Sequence, residues 1–255
     1  MPEVHPAATA GYSTASGAYA AGRPDYPAAL AGWLTGPLGL GPGTTVLDLG
    51  AGTGKFTARL AATGARVIAV EPVAAMRARL AADLPGVMAL EGTAQAIPLP
   101  DASLDALTCA QSFHWFATAA ALTEIARVLK PGGRFGLIWN VRDEQTPWVA
   151  ALTAIMAPHE GDAPRFHSGA WRGPFPDPRF SAMEEAMFEH AHSGPFASVV
   201  LDRIMSVSFI AALPAAAQDE VRAQIAALPA RFPDLADPAR VTFPYRTRAF
   251  MMTRA

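Results

Sequence analysis

Residues 46–56, VLDLGAGTGKF, constrain this chain more than any other stretch. A short apolar run carries Asp48 near its end, and glycines then follow at alternate positions, Gly50, Gly52 and Gly54. Glycine accepts positive φ and leaves no Cβ between main chain and neighbour, so three at this spacing predict a strand-to-helix turn whose backbone lies against a ligand. A single glycine would read as a plain tight turn. The GxGxG spacing also differs from the GxGxxG turn that seats a dinucleotide pyrophosphate on a helix N-terminus. It therefore argues against a nicotinamide dinucleotide and for a cofactor without phosphates, whose cationic centre Asp48 would favour.

The surrounding pattern supplies a sheet for that turn. Short apolar runs at 44–49, 66–71, 86–91, 104–110 and 134–140 alternate with helical stretches at 55–62, 74–83 and 118–129. Strands so continuously apolar suit a mostly parallel sheet covered on both faces, the doubly wound α/β class. Pro131, Gly132 and Gly133 end the third helix and turn the chain into the fifth strand. Beyond Asn140 the chain becomes dense in Pro and Gly over 158–180, then reads as helices at 199–213 and 215–228. Segments 183–192 and 241–252 have the aromatic and β-branched content of strands that complete a seven-stranded sheet. The expected organisation is a leader or lid at 1–26, a cofactor-binding core at 27–142, and sheet-completing strands with acceptor-binding helical insertions at 143–255.

Composition narrows the partners. The 255 residues carry a formal net charge of −2 and 51% hydrophobic residues, enough for a sizeable core but without the basic field that holds nucleic acid or an anionic membrane. Cys109 is the single cysteine, which leaves no intrachain disulfide and no thiolate metal pattern, as in a reducing cytoplasm. No apolar run reaches the length of a membrane span, and the first residues lack a signal-peptide pattern. A cytoplasmic protein acting on a small molecule is the expectation, with no metal, no nucleic acid and no membrane partner.

Several residues carry chemistry. Glu71 ends the second strand about twenty residues past the first glycine, where a carboxylate can accept both hydroxyls of a ribose; with Pro72 after it, an ordinary helix-start acid is the alternative. His114, just past the fourth strand, suits proton removal from an acceptor hydroxyl, or else stands as a wall between Phe113, Trp115 and Phe116. Trp139 and Asn140 close the fifth strand, the tryptophan reading as core and the asparagine as an acceptor contact. His190 and His192 lack a third ligand at a recognisable spacing and read as edge-strand side chains. Arg203, Arg246 and Arg248 read as surface cations, with a clamp on an acceptor carboxylate as the alternative.

With these residues in place, the chain resembles the class I S-adenosylmethionine-dependent methyltransferases from about Tyr19 to Asn140. The motifs are VLDLGAGTG, VIAVEP, EGTAQAIPLPDASLDALTCA and EIARVLKPGGRFGLIWN, in that order. AQSFHWF, GRPDYP and the late YRT are similar to a small-molecule branch that includes trans-aconitate-type enzymes. The resemblance implies S-adenosylmethionine as cofactor, with Asp48, Gly50, Ala51, Gly52 and Gly54 along its methionine part and Glu71 and Pro72 at the ribose. It also implies Thr93, Ala94 and Gln95 at the adenine, Gln111 toward the methionine side or the acceptor, and Tyr19, Arg23 and Tyr26 as parts of a lid. Many relatives carry Asp where this chain has Thr93, which can offer only a hydroxyl acceptor. DPPY or NPPY, the motif of amino-methylating enzymes on nucleic acid, is absent from the place that AQSFHWF occupies. Two other readings stay open: a regulatory protein that binds the cofactor without turnover, and a nicotinamide-dependent oxidoreductase.

Overall fold

The computed structural model describes residues 24–162 and 164–255. Seven strands form one sheet in the order β3-β2-β1-β4-β5-β7-β6. They are β1 (Thr45–Leu49), β2 (Arg66–Val70), β3 (Met88–Leu90), β4 (Leu104–Ala110), β5 (Leu129–Arg142), β6 (Glu184–Gly194) and β7 (Val241–Thr253). The first five run parallel, and β7 is antiparallel to both β5 and β6. Strand order reverses between β1 and β4, with β2 and β3 to one side and β5 to the other, and the crevice at such a switch point lies outside the carboxyl ends of the strands. This is the expected doubly wound fold.

Alternation along β1 shows why the sheet is covered on both sides. Val46 packs with Tyr26, Trp33, Leu34 and Leu60 on the face covered by α1 (Leu30–Thr35) and α2 (Thr57–Ala61). Leu47 and Leu49 join Leu122, Ile125, Phe135 and Trp139 on the face covered by α4 (Ala119–Val128). Between β2 and β3 runs α3 (Ala74–Asp83), which buries Met76 and Leu80. Thr118 caps α4, its hydroxyl accepting from the Ala121 N–H at 3.2 Å.

A third apolar cluster belongs to the C-terminal helices. Trp148, Val149, Leu152 and Met156 of α5 (Pro147–Met156) pack with Val199, Val200, Ile204, Val221 and Ile225 against Val241, Phe243 and Tyr245 of β7. β7 pairs with β6 from Val241 onward, whereas its pairing with β5 begins only at Tyr245, opposite Arg142. The β6–β7 ribbon thus projects past the end of β5, and the helices built on it stand over the carboxyl edge of the sheet.

Four local expectations are corrected. The segment 199–213 is not one helix: a π-helical turn (Ala197–Asp202) passes into α6 (Arg203–Met205), then the chain bends before α7 (Ser208–Ala211), and α8 (Ala215–Ala226) follows. Ser206 Oγ bonds back to the Arg203 carbonyl at 2.8 Å and Val207 is extended, which stops helix propagation there. The first of these helices is shorter than 55–62, because Lys55 and Phe56 belong to the glycine turn. Pro131–Gly133 do not simply end a helix: β5 begins at Leu129, and these residues bulge between the Leu104–Leu129 and Ala106–Arg134 pairs. Tyr26 is not a lid residue but core, with its ring edge-on to Phe56 at 4.8 Å.

Candidate functional site

The glycine turn is built as a cradle. Gly50, Gly52 and Gly54 all have positive φ, and a Cβ at Gly50 would sit 2.7 Å from Ser112 Cβ. At Gly52 the nearest atom to such a Cβ is Met76 Sδ at 4.0 Å, so the loop there faces open space that a ligand can enter. The turn is pinned from β2: Gly50 and Ala51 donate to the Val70 carbonyl, and the Gly52 N–H donates to Glu71 Oε2 at 2.8 Å.

Two buried carboxylates flank this loop. Asp48 is fully buried; its Oδ2 accepts the Thr57 hydroxyl at 2.6 Å, and its Oδ1 has no hydrogen-bond partner among the described residues. Burial pushes its pKa up to about 7, with the Thr57 bond opposing the rise and the Glu71 charge adding to it. An orphaned, desolvated carboxylate is costly unless a cation or donor meets it. Glu71 Oε1 also accepts from the Val73 N–H at 2.9 Å, and burial raises this carboxyl too, against the two amide bonds and Arg77. Each Glu71 oxygen keeps a lone pair beyond its amide. Pro72 follows directly, its carbonyl contacted by Arg77.

On the far side of β2, Thr93, Ala94 and Gln95 form the turn after β3. Ala94 is buried, and Thr93 Oγ1 is a buried oxygen with no hydrogen-bond partner among the described residues. It is available to an amino group entering the turn. The opposite rim is set by Gln111 at the end of β4, held with φ +57°, its N–H bonded to the Ile138 carbonyl at 2.8 Å. A side-chain-bearing residue in left-handed conformation costs of order 1–3 kcal/mol and concentrates at functional sites. Tyr19 and Arg23, expected at the lid, lie outside the described residues.

Beyond Gln111 a cavity of about 110 Å³ opens between the sheet edge and the C-terminal helices. Gln111, His114, Trp115, Arg142 and Met156 line it together with Glu160, Arg165, His167, Arg203 and 207–209. His114 Nδ1 accepts from the Trp139 Nε1–H at 3.1 Å, so the neutral imidazole carries its proton on Nε2. With its one lone pair engaged by Trp139, His114 fits a wall of the cavity better than a group that removes a proton. Trp139 is core, as its pattern suggested, and stacks near Trp171 at 4.7 Å.

Asn140 was expected to meet the acceptor, yet its Oδ1 accepts from Thr247 at 2.6 Å and its Nδ2 donates to the Asp25 carbonyl at 3.0 Å. It ties the incoming chain to β7 instead. Of the three late arginines only Arg203 reaches the cavity; Arg246 pairs with Asp143 at 3.1 Å and Arg248 with Glu185. Arg142 and Arg165 escaped the sequence reading. Arg142 had a signal available, since it follows the predicted fifth strand at the ligand edge; Arg165 sits in a Pro/Gly-rich segment with no periodicity to place it.

Known proteins similar to this chain are methyltransferases. A family model described as a methyltransferase domain matches residues 47–137. An uncharacterized methyltransferase of Mycobacterium tuberculosis is 40% identical over 245 residues, covering 96% of both chains. A methyltransferase-like protein of Schizosaccharomyces pombe is 37% identical over 238 residues, covering 91% of each. Among solved structures, a type II methyltransferase candidate from Anaeromyxobacter dehalogenans superposes with a TM-score of 0.65 at 28% identity, covering 91% of this chain and 96% of the other.

Proposed function

Because this chain belongs to the class I S-adenosylmethionine-dependent methyltransferases, we propose that it transfers the methyl group in line to a small-molecule acceptor held in the cavity beyond Gln111. The observation that carries the small-molecule reading is the size of that cavity, about 110 Å³, and its place beneath the C-terminal helices. The near-neutral formal charge of −2 favours neither a nucleic-acid nor a membrane partner and suits a cytoplasmic metabolite. No helix among the described residues is long and apolar enough to cross a membrane.

The residues present fit the cofactor. Asp48 with its orphaned Oδ1 would meet the cationic end, and Gly52, beside Ala51, faces open space for the methionine part. Gly50 and Gly54, without side chains, let the turn pack against Ser112 and Leu80. Glu71 and Pro72 would hold the ribose, and Thr93, Ala94 and Gln95 the adenine, with Thr93 Oγ1 as acceptor. When bound, the cofactor supplies an electrophilic methyl group on a sulfonium. The protein's part is positioning: strained Gln111 and the wall at His114 hold the acceptor in line, and the helices exclude water, a contribution that reaches roughly 7–11 kcal/mol in well-oriented systems. His114 acts here as a donor that orients the acceptor. Residues 27–142 then hold the cofactor and one side of the acceptor cavity, and 143–255 complete that cavity.

The test is calorimetric binding of S-adenosylmethionine and S-adenosylhomocysteine to the wild type and Glu71→Ala, with NADH as control. Micromolar binding of the sulfur compounds, weakened at least tenfold by the substitution and absent for NADH, supports the reading. Binding of neither overturns it. Tight binding without methyl transfer to any of a broad metabolite set would favour a regulatory protein instead.

A further inference from the structure

Three arginines, Arg142, Arg165 and Arg203, line the cavity against one acidic residue, Glu160. Arg142 is the most informative. It is the last residue of β5, its Nη1 donates to Met156 Sδ at 3.3 Å, and no carboxylate among the described residues lies within ion-pair distance of it. Burial pushes its pKa below the ordinary value, offset in part by Tyr245, Glu144 and Glu160. A guanidinium taken from water without a carboxylate is unfavourable, whereas its planar fork matches a carboxylate with two parallel hydrogen bonds. Glu160 shows that this wall receives such a group: its Oε1 lies 3.0 Å from Arg165 Nε and its Oε2 lies 3.3 Å from His167 Nε2. Arg142 also stands at a useful place. It is two residues beyond Asn140, whose carbonyl takes the Gln111 side chain at 3.4 Å, and two residues of strand span about 6–7 Å.

We propose that this cavity binds the carboxylate of the methyl acceptor, with Arg142 as its principal partner and Arg165 and Arg203 on the same wall, while the reacting part of the acceptor lies toward Gln111 and His114. The assignment rests on the methyl-transfer reading of the site. It makes Arg142 the residue that selects acids over neutral molecules of the same shape.

The test uses the full chain saturated with S-adenosylhomocysteine and measures binding of matched pairs: benzoate and benzamide, phenylacetate and phenylacetamide, succinate and succinamide, with inorganic phosphate alongside. At least one acid should bind tenfold or more tightly than its amide. Arg142→Met should erase that preference while leaving S-adenosylhomocysteine binding unchanged, Arg142→Lys should restore part of it, and Arg222→Met, on the exposed side of α8, should leave it intact. The proposal is overturned if no acid is favoured over its amide, if the preference survives in Arg142→Met, or if phosphate binds more tightly than every carboxylate. Should Arg142→Met fail to fold, the wild-type acid and amide comparison still decides. Failure to bind S-adenosylhomocysteine would count against the methyl-transfer reading, and the same pairs run on the bare protein would still test the carboxylate site.

Discussion

Asp48 sets a pH dependence that can be worked out in sign. Its folded-state pKa, about 7, stands above the ordinary 3.8, so the folded protein holds this proton more tightly than the unfolded chain does. Stability from this group is therefore full below about pH 4 and declines as pH rises toward 7, at about 1.4 kcal/mol for each unit of pKa difference. The cofactor-free Asp48→Asn variant should gain on the wild type between pH 5 and pH 8 in urea midpoints; a difference that does not change with pH would refute this. A cationic sulfonium favours the ionised carboxylate, so wild-type preference for S-adenosylmethionine over S-adenosylhomocysteine should increase with pH and vanish in the variant. At His114 the bond from Trp139 separates two roles. His114→Gln, which keeps a donor, should hold kcat within a fewfold, and His114→Ala should mainly raise KM; an acid limb in kcat/KM that disappears only with His114 would restore the base role.

At the scale of the element, the glycine turn is where composition and geometry meet. Gly50→Ala places a Cβ 2.7 Å from Ser112 Cβ and also forces alanine to φ +73°, two penalties that together predict a loss of about 2–3 kcal/mol. Ser112→Gly in the same chain should recover only the steric part, which thermal melts of the single and double variants resolve. The elements most legible in sequence were those with a strict period: β1, β2 and β4, and α3, whose bounds 74–83 match the expectation. The segment 199–213 misled because its apolar spacing is helical while Val207 takes an extended conformation that no pattern of hydrophobicity encodes. α5 went unmarked although Trp148, Val149, Leu152 and Met156 follow a helical spacing after Pro147, because the loop-like segment beyond it dominated the reading.

For the whole molecule, the glycine turn and the cavity beyond Gln111 depend on different clusters. Trp148, fully buried against Phe243 at 4.8 Å between ring centres, anchors the helices that roof the cavity. Trp148→Ala should cost roughly 3–5 kcal/mol and reduce acceptor turnover far more than S-adenosylhomocysteine affinity, since the glycine turn rests on β1 and β2. Equal loss of both would mean that the two halves are one cooperative unit. Sequence alone determined the doubly wound class, the glycine turn between Asp48 and the second strand, and the order of the strands along the chain, because apolar runs and glycine spacing are local properties of neighbouring residues. Only the tertiary structure decided that Arg142, Arg165 and Arg203 share one cavity, that Trp139 occupies His114 Nδ1, and that Asn140 ties Asp25 to Thr247. Those hydrogen bonds join residues 25 or more positions apart in sequence, and only the folded sheet brings them together.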